Sequence, residues 1–146
     1  MGSNISETNT LELALSPNIK LKELVLSAGH PELNAVNTAY ALTHLNVLKV
    51  LASHIQIIRD HFGIPVIIDS GIRCPELNAA VGGVNTATSI SQHVKGEAAD
   101  LYFPPDKFDL VFKWIWKESK LNFGQLIDEI NSRGHRWIHY SLASLS

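Results

Sequence analysis

The interpretation of this chain begins with the stretch Ser91-Gln92-His93-Val94-Lys95-Gly96-Glu97-Ala98-Ala99-Asp100. It places a carboxylate seven positions after a histidine, with a glycine between them that interrupts any shared helical face. A turn at Lys95-Gly96-Glu97 would bring the loop histidine and the strand carboxylate toward one point. His139, in a second stretch Trp137-Ile138-His139-Tyr140-Ser141, can complete a set of three. Two histidines and one carboxylate form catalytic zinc sites whose fourth position is left to water, so this pattern predicts Zn²⁺ binding. The alternative is an ordinary domain, in which the histidines are satisfied polar groups and the aspartate belongs to a turn.

Size and composition indicate one globular domain. The chain has 146 residues, of which 45% are hydrophobic and 18% charged, and this is enough to bury a core without a disulfide or a structural metal. The net charge of −2 offers no attraction to nucleic acid or to an anionic membrane, and we expect neither partner. Cys74 is the single cysteine, so no intrachain disulfide can form. The sequence shows no bilayer-length apolar run and no secretory signal pattern, and we expect a monomer that is cytoplasmic at synthesis.

Hydrophobic periodicity and chain breakers predict an α+β fold. Residues 1–15, which begin with a segment rich in Ser, Asn and Thr, are expected to be a poorly ordered lead-in to a single domain spanning residues 16–146. Helical spacing of apolar residues predicts helices at 21–25, 37–62, 75–81 and 106–120. In the last of these, Trp116 is expected on the buried face. Apolar runs bounded by Gly or Pro predict strands at 66–71, 98–103, 124–130 and 136–142. Helices first and hairpin strands later indicate a small antiparallel sheet packed against helices.

Four motifs along the chain resemble those of the M15 zinc peptidases. They are Ser70-Gly71-Ile72-Arg73, Val81-Gly82-Gly83, Ser91-Gln92-His93 with Gly96, Ala98 and Asp100, and Trp137-Ile138-His139-Tyr140-Ser141. The resemblance extends from about Leu21 to Leu142, and the nearest branch is that of the zinc D-alanyl-D-alanine carboxypeptidases and phage endolysins, with the hedgehog/DD-peptidase fold.

This resemblance implies a role for several residues. His93, Asp100 and His139 would be the zinc ligands. Arg73 would hold a substrate carboxylate or carbonyl oxygen, which suits a planar and permanently charged donor. Ser91 and Gln92 would donate to the substrate or shape the loop.

The general base of such a peptidase has to be found separately. Many M15 members carry an acidic residue three positions before the last histidine, but this chain has Arg136 there. The base must therefore come from elsewhere or be missing. A hairpin loop with an odd number of residues, for example three, would place Glu129 directly opposite His139, whereas a two-residue loop would bring Asp128 round instead. Because Gln125-Leu126-Ile127-x-Glu129 also resembles the acidic strand of the phage-type branch, we predict Glu129 as the base.

The resemblance implies a zinc-dependent peptidase that hydrolyses peptide bonds in the stem peptides of bacterial peptidoglycan, as a D,D-carboxypeptidase or an endolysin-type endopeptidase. Zn²⁺ and Glu129 would activate water, and Zn²⁺ and Arg73 would stabilise the oxyanion. A phage or prophage product could reach the cell wall on release from the cell. The alternative is a catalytically silent zinc-binding module for protein recognition, which the residue at Arg136 favours. Trp137, Tyr140 and Tyr102 could wall a peptide groove, although strand aromatics more often belong to a core, and for Trp137 the core is the preferred interpretation.

Overall fold

Helices and two antiparallel sheets make up the part of the chain that the computed structural model describes, residues 9–86 and 89–143. The helices are α1 (Leu21–Val25), α2 (Asn34–Leu42), α3 (Leu45–Phe62), α4 (Pro75–Ala80) and α5 (Pro105–Lys117), with a 3-10 turn at Pro31–Leu33 before α2. The strands are β1 (Ala14–Ser16), β2 (Ile19–Lys20), β3 (Ile67–Ser70), β4 (Ala98–Tyr102), β5 (Phe123–Ile130) and β6 (Arg136–Leu142). β1 and β2 form a short ribbon, and the other strands form one sheet in the order β3-β4-β6-β5. The fold is α+β, as predicted.

The two faces of the four-stranded sheet have different surroundings. Alternate residues of β4 and β6, among them Leu101, Ile138 and Tyr140, are fully buried in the hydrophobic core. Asp100 and His139 lie between them in the strands and point to the other face, because successive strand residues alternate. The core side also contains the buried apolar residues of α3 and α5, which are Leu48, Leu51, Ala52, Ile55, Ile58, Phe108, Val111 and Ile115. The helices α3 and α5 therefore cover one face of the sheet and leave polar residues on the other.

The predicted single helix over residues 37–62 is wrong, because the chain turns sharply between α2 and α3. The axis of α2, taken with the turn before it, meets that of α3 at 101°. At the break, the Thr43 hydroxyl donates to the Tyr40 carbonyl at 2.7 Å, and His44 Nδ1 lies 3.1 Å from the same oxygen. These side chains satisfy a helix-terminal carbonyl that a further helical turn would have used. Apolar spacing continues across the break, so periodicity alone could not reveal it.

The predicted lead-in over residues 1–15 is wrong for its last part. Leu15 lies in β1 and is only 8% exposed within the core. Gln56 of α3 binds the ribbon, because its Oε1 accepts hydrogen bonds at 2.8 Å from the Ser16 hydroxyl and from the Asn18 backbone amide. Strands of two and three residues are too short to show a hydrophobic period. The first eight residues of the lead-in lie outside the described part of the chain.

The prediction that Trp116 lies on the buried face of α5 is also wrong, since its side chain is 61% exposed. Trp114 packs against α3 instead, with its ring centroid 4.0 Å from that of His61. The buried stripe of α5 is narrower than the predicted one, because it ends at Ile115.

Within the described ranges, no single helix is long and apolar enough to cross a membrane. The helices α2 and α3 reach the length and apolar composition of a membrane span only when they are counted together, and they are sharply bent against each other.

Candidate functional site

Three potential metal ligands converge on the face of the sheet away from α3 and α5. Asp100 in β4 and His139 in β6 are direct cross-strand partners, and His93 reaches them from the loop before β4. One donor atom from each residue lies within 4.8 Å of the other two. Asp100 Oδ1 is 3.3 Å from His93 Nε2 and 3.1 Å from His139 Nδ1. The structure therefore brings together the three residues that the sequence indicated as ligands.

Hydrogen bonds at the far side of each imidazole determine which nitrogen faces Asp100. His93 Nδ1 lies 2.8 Å from the Gly71 carbonyl oxygen, which can only accept, so this nitrogen carries a proton. His139 Nε2 lies 3.2 Å from Gln125 Oε1 and donates in the same way. In the neutral imidazoles, the lone pairs of His93 Nε2 and His139 Nδ1 both face the carboxylate. Three acceptors that meet without a proton between them repel one another unless a cation lies among them.

The donor set and its spacing fit Zn²⁺. Two donors that are each about 2.1 Å from a tetrahedral centre lie about 3.4 Å apart. The two separations at Asp100 Oδ1, 3.3 and 3.1 Å, are close to this value. Burial raises the pKa of Asp100, but hydrogen bonds donated by His139 and His93 in their protonated forms outweigh this and hold the pKa below its usual range. An anionic, buried carboxylate with two imidazoles is a recognised ligand set for zinc, and it leaves a position for a further ligand.

The segment from Gly71 to Arg73 holds His93 in place. In addition to the ring contact with Gly71, the Arg73 backbone amide donates to the His93 carbonyl at 3.0 Å. Gly71 lies tightly against α1, since a Cβ atom there would be 2.3 Å from the Leu24 carbonyl oxygen. The same oxygen accepts a hydrogen bond from the Ile72 amide at 2.9 Å. The Ser-Gly-Ile-Arg motif therefore requires glycine for close approach to α1, and it fixes the first ligand.

Arg73 lies beside the three ligands with a side chain that is only 14% exposed. Its Nη2 is 3.5 Å from Asp100 Oδ2, Nε donates to the Ser70 hydroxyl at 3.1 Å, and Nη1 donates to Asn78 Oδ1 at 3.4 Å. Burial lowers the pKa of Arg73, while the charges of Asp100 and Glu129 raise it. A guanidinium group stays charged at all ordinary pH values. The site therefore contains a fixed positive charge near both carboxylates.

Glu129 shares the face of the three ligands, but it is not at the predicted position. The connection between β5 and β6 runs over five residues, 131–135, and it pairs Ile127 with His139 and Glu129 with Trp137. The odd loop length keeps Glu129 on the expected face, but the predicted direct pairing with His139 is wrong by two residues. Diagonal neighbours on one face of a sheet are about 7–8 Å apart, against about 5 Å for direct partners. Glu129 does not belong to the group of ligand atoms that lie within 4.8 Å of one another, so it is not a fourth ligand.

Asp128 and Arg136 lie on the opposite face of the sheet. Arg136 donates to both carboxylate oxygens of Asp128, at 2.9 and 2.7 Å, and to Asp109 of α5 at 3.0 Å. Its guanidinium carbon is 3.7 Å from the centroid of the Phe108 ring. Asp128, the alternative base, therefore points toward α5. In this register an acidic residue at position 136 would also face away from the ligands.

Ser91 and Gln92 have partners within the loop that carries the first histidine. The Ser91 hydroxyl accepts from the His93 backbone amide at 3.2 Å. Gln92 Nε2 donates to the Leu142 carbonyl at 3.4 Å, and the Gln92 carbonyl accepts from the Glu97 amide at 2.9 Å. These contacts shape the loop, and a role for either side chain in substrate binding stays a prediction.

Three stacked rings stand next to the ligands on the same face of the sheet. The His135 ring is nearly parallel to that of Tyr102, with centroids 5.1 Å apart, and lies 5.8 Å from that of Trp137. His135 Nε2 is also 2.7 Å from Asp69 Oδ2. Tyr102 and Trp137 lie outside the hydrophobic core, against the expectation for strand aromatics, and they form one side of the site.

Sequence reasoning missed two polar residues of the site, Gln125 and Asn78. Gln125 precedes Glu129 by four residues in β5, so strand alternation could have placed both on one face. Asn78 is fully buried in α4 and its amide contacts Arg73. Nothing in the sequence distinguishes it from an ordinary asparagine in a short helix.

The fold and the site together define the class of the protein. They describe a metallopeptidase-like α+β domain, with a His-Asp-His ligand set on a sheet and a buried arginine beside it. A family model described as Peptidase M15 matches residues 17–140. The chain belongs to the M15 peptidase family, whose members are in general zinc-dependent. No curated protein and no solved structure matches the chain.

Proposed function

We propose that the protein is a zinc-dependent peptidase that hydrolyses the stem peptides of bacterial peptidoglycan. The observation that carries this proposal is the convergence of one potential ligand atom each from His93, Asp100 and His139, with Asp100 Oδ1 at 3.3 and 3.1 Å from the two imidazole nitrogens. These three residues would hold the ion, and bound Zn²⁺ would supply Lewis acidity and lower the pKa of a water molecule. Membership of the M15 family supports a peptide as the substrate.

Glu129 would act as the general base. Its strand position diagonal to His139, on the face of the ligands, supports this role, in which Glu129 would take a proton from the attacking water and pass it to the leaving nitrogen. Asp128 is a poor substitute because it is bound to Arg136 on the far face. Arg73 would donate hydrogen bonds to the substrate carbonyl oxygen as negative charge develops there, or to a terminal carboxylate.

The choice of peptidoglycan depends on the resemblance of the four sequence motifs to the branch of D,D-carboxypeptidases and phage endolysins. Within that class, the protein would release a terminal D-alanine or cleave inside the stem peptide. Ser91 and Gln92 are the candidates for further substrate contacts, and a phage or prophage product released to the cell wall would meet this substrate.

The test is digestion of purified peptidoglycan by zinc-loaded protein, with new amine ends measured and the fragments identified by mass spectrometry. The wild type should release amines, and Glu129→Gln should lose activity by about a hundredfold or more because it removes the base. Asp128→Asn is the matched control and should retain activity. Free D-alanine would identify a carboxypeptidase, and larger peptides would identify an endopeptidase.

Two outcomes would contradict the proposal. If protein with verified bound zinc releases nothing, the silent zinc-binding module becomes the better explanation. If the protein takes up no zinc after zinc is added, both the peptidase and the module are wrong.

A further inference from the structure

Gln125 occupies a β-bulge in β5 beside the metal-ligand set. Phe123 pairs with Leu142 and Leu126 pairs with Tyr140, so two residues of β5, Gly124 and Gln125, lie opposite the single residue Ser141 of β6. Bulges of this kind redirect side chains and are frequent next to active sites.

Side-chain chemistry, rather than the regular ladder, determines the shape of the bulge. The Gln125 backbone amide donates to the Ser141 hydroxyl at 2.8 Å instead of to a backbone carbonyl. A Cβ atom on Gly124 would lie 2.5 Å from the Leu142 carbonyl oxygen, so only glycine allows the two strands to approach here. Glycine and serine therefore stabilise one local geometry.

The result of this geometry is a contact between Gln125 and a ligand. Gln125 Oε1 accepts from His139 Nε2 at 3.2 Å, just as the Gly71 carbonyl accepts from His93 Nδ1 at 2.8 Å. Each imidazole thus has an acceptor behind it that directs its other nitrogen toward Asp100. The acceptor behind His93 is a backbone carbonyl, which no substitution removes. The acceptor behind His139 is the Gln125 side chain, which a substitution can remove.

We infer that Gln125 is a positioning residue, which selects the tautomer and the orientation of His139 so that Nδ1 faces the metal position. The inference rests on the proposed metal site, and it adds a function for the Gly-Gln bulge. Acceptors behind ligand histidines increase the basicity of the ligand, and their loss typically weakens metal binding by about 10–100-fold. Because Gln125 is exposed, the low end of this range applies.

The test compares Gln125→Leu, which removes the acceptor, with Gln125→Glu, which keeps an acceptor and adds charge. Ile127→Leu is the control, since Ile127 lies on the same strand and face but has no polar group. Two quantities are measured: the zinc dissociation constant by chelator competition, and the exchange with water of the His139 Nε2 proton by ¹H–¹⁵N NMR of the zinc-loaded protein.

Gln125→Leu should bind zinc about tenfold more weakly, and its His139 Nε2 proton should exchange with water faster than that of the wild type. Gln125→Glu should bind at least as tightly as the wild type, and Ile127→Leu should match it in both measurements. Equal zinc affinity and unchanged exchange of the His139 Nε2 proton in Gln125→Leu would overturn the inference. If the wild type binds no zinc, the proposed function and this inference both fail. If the wild type binds zinc and Gln125→Leu binds it equally tightly, only the inference fails.

Discussion

Replacing Gly71 by alanine tests the contact between the arginine motif and α1. The new Cβ would lie 2.3 Å from the Leu24 carbonyl oxygen, whereas close carbon–oxygen contacts in proteins are about 3.3 Å or longer. The two backbone segments must then separate by about 1 Å, which also strains the hydrogen bond from the Ile72 amide to the same oxygen. Overpacking costs about 1–3 kcal/mol, and a weakened hydrogen bond adds up to about 1 kcal/mol. The lower entropy of the unfolded alanine chain offsets about 0.4–1 kcal/mol.

The expected net loss is about 2 kcal/mol in the free energy of unfolding, measured in urea on metal-free protein. For a chain of this size it corresponds to a fall of about 4–8 °C in Tm. Zinc affinity should fall as well, because the Gly71 carbonyl that holds His93 moves with the segment. Gly29→Ala is the control, since a Cβ there meets nothing within 4 Å, and it should be neutral or slightly stabilising. A Gly71→Ala protein within about 0.5 kcal/mol of the wild type, the scatter of neutral surface substitutions, would refute the close contact.

Three further predictions concern charge, pH and metal. Arg136→Glu restores an acidic residue three positions before the last histidine, but it should not raise peptidase activity because this position faces α5. It should lower Tm, because it replaces the arginine bound to Asp128 with a second negative charge. Burial lowers the pKa of His54 in the folded protein. Below about pH 6.5 the imidazole is therefore protonated more readily in the unfolded chain than in the folded one, and the free energy of unfolding decreases as the pH is lowered. Urea unfolding should therefore give a lower free energy at pH 5 than at pH 7.5, and His54→Gln should reduce the difference. Zinc at a hundred times its dissociation constant should stabilise the protein by about 2.7 kcal/mol, and a His93→Ala variant whose Tm rises equally with zinc would argue against the assigned ligands.

The sequence predicted the elements with strong local signals and missed those that depend on tertiary contacts. The strands of the four-stranded sheet and the helix α5 have clear periods, and several of their ends lie close to a Gly or Pro. The break at Thr43 and His44 has neither, because side-chain hydrogen bonds to one carbonyl make it. Trp116 has the right spacing for the buried stripe, but the core ends one residue earlier.

At the candidate site, spacing and resemblance indicated which residues to consider, but they could not specify the pairing of β5 with β6. Glu129 was predicted directly opposite His139, and the five-residue connection shifts it to a diagonal position. The same connection directs Asp128 toward Arg136. When a sequence is compatible with more than one hairpin turn, tertiary packing decides the length of the loop. The sequence could therefore indicate only whether the loop has an odd or an even number of residues.

The core face of the hairpin explains why the register of the site face is well defined. Ile138, Tyr140 and Leu142 of β6 are at most 7% exposed, and burial of each such side chain is worth about 1.5–3 kcal/mol. A slip by one residue would turn all three into solvent, at a cost of about 5 kcal/mol or more, comparable with the whole stability of a typical domain. The same slip would turn His139 toward the core. Hydrophobic burial on one face therefore maintains the alignment of His139 with Asp100 on the other, before any metal contributes.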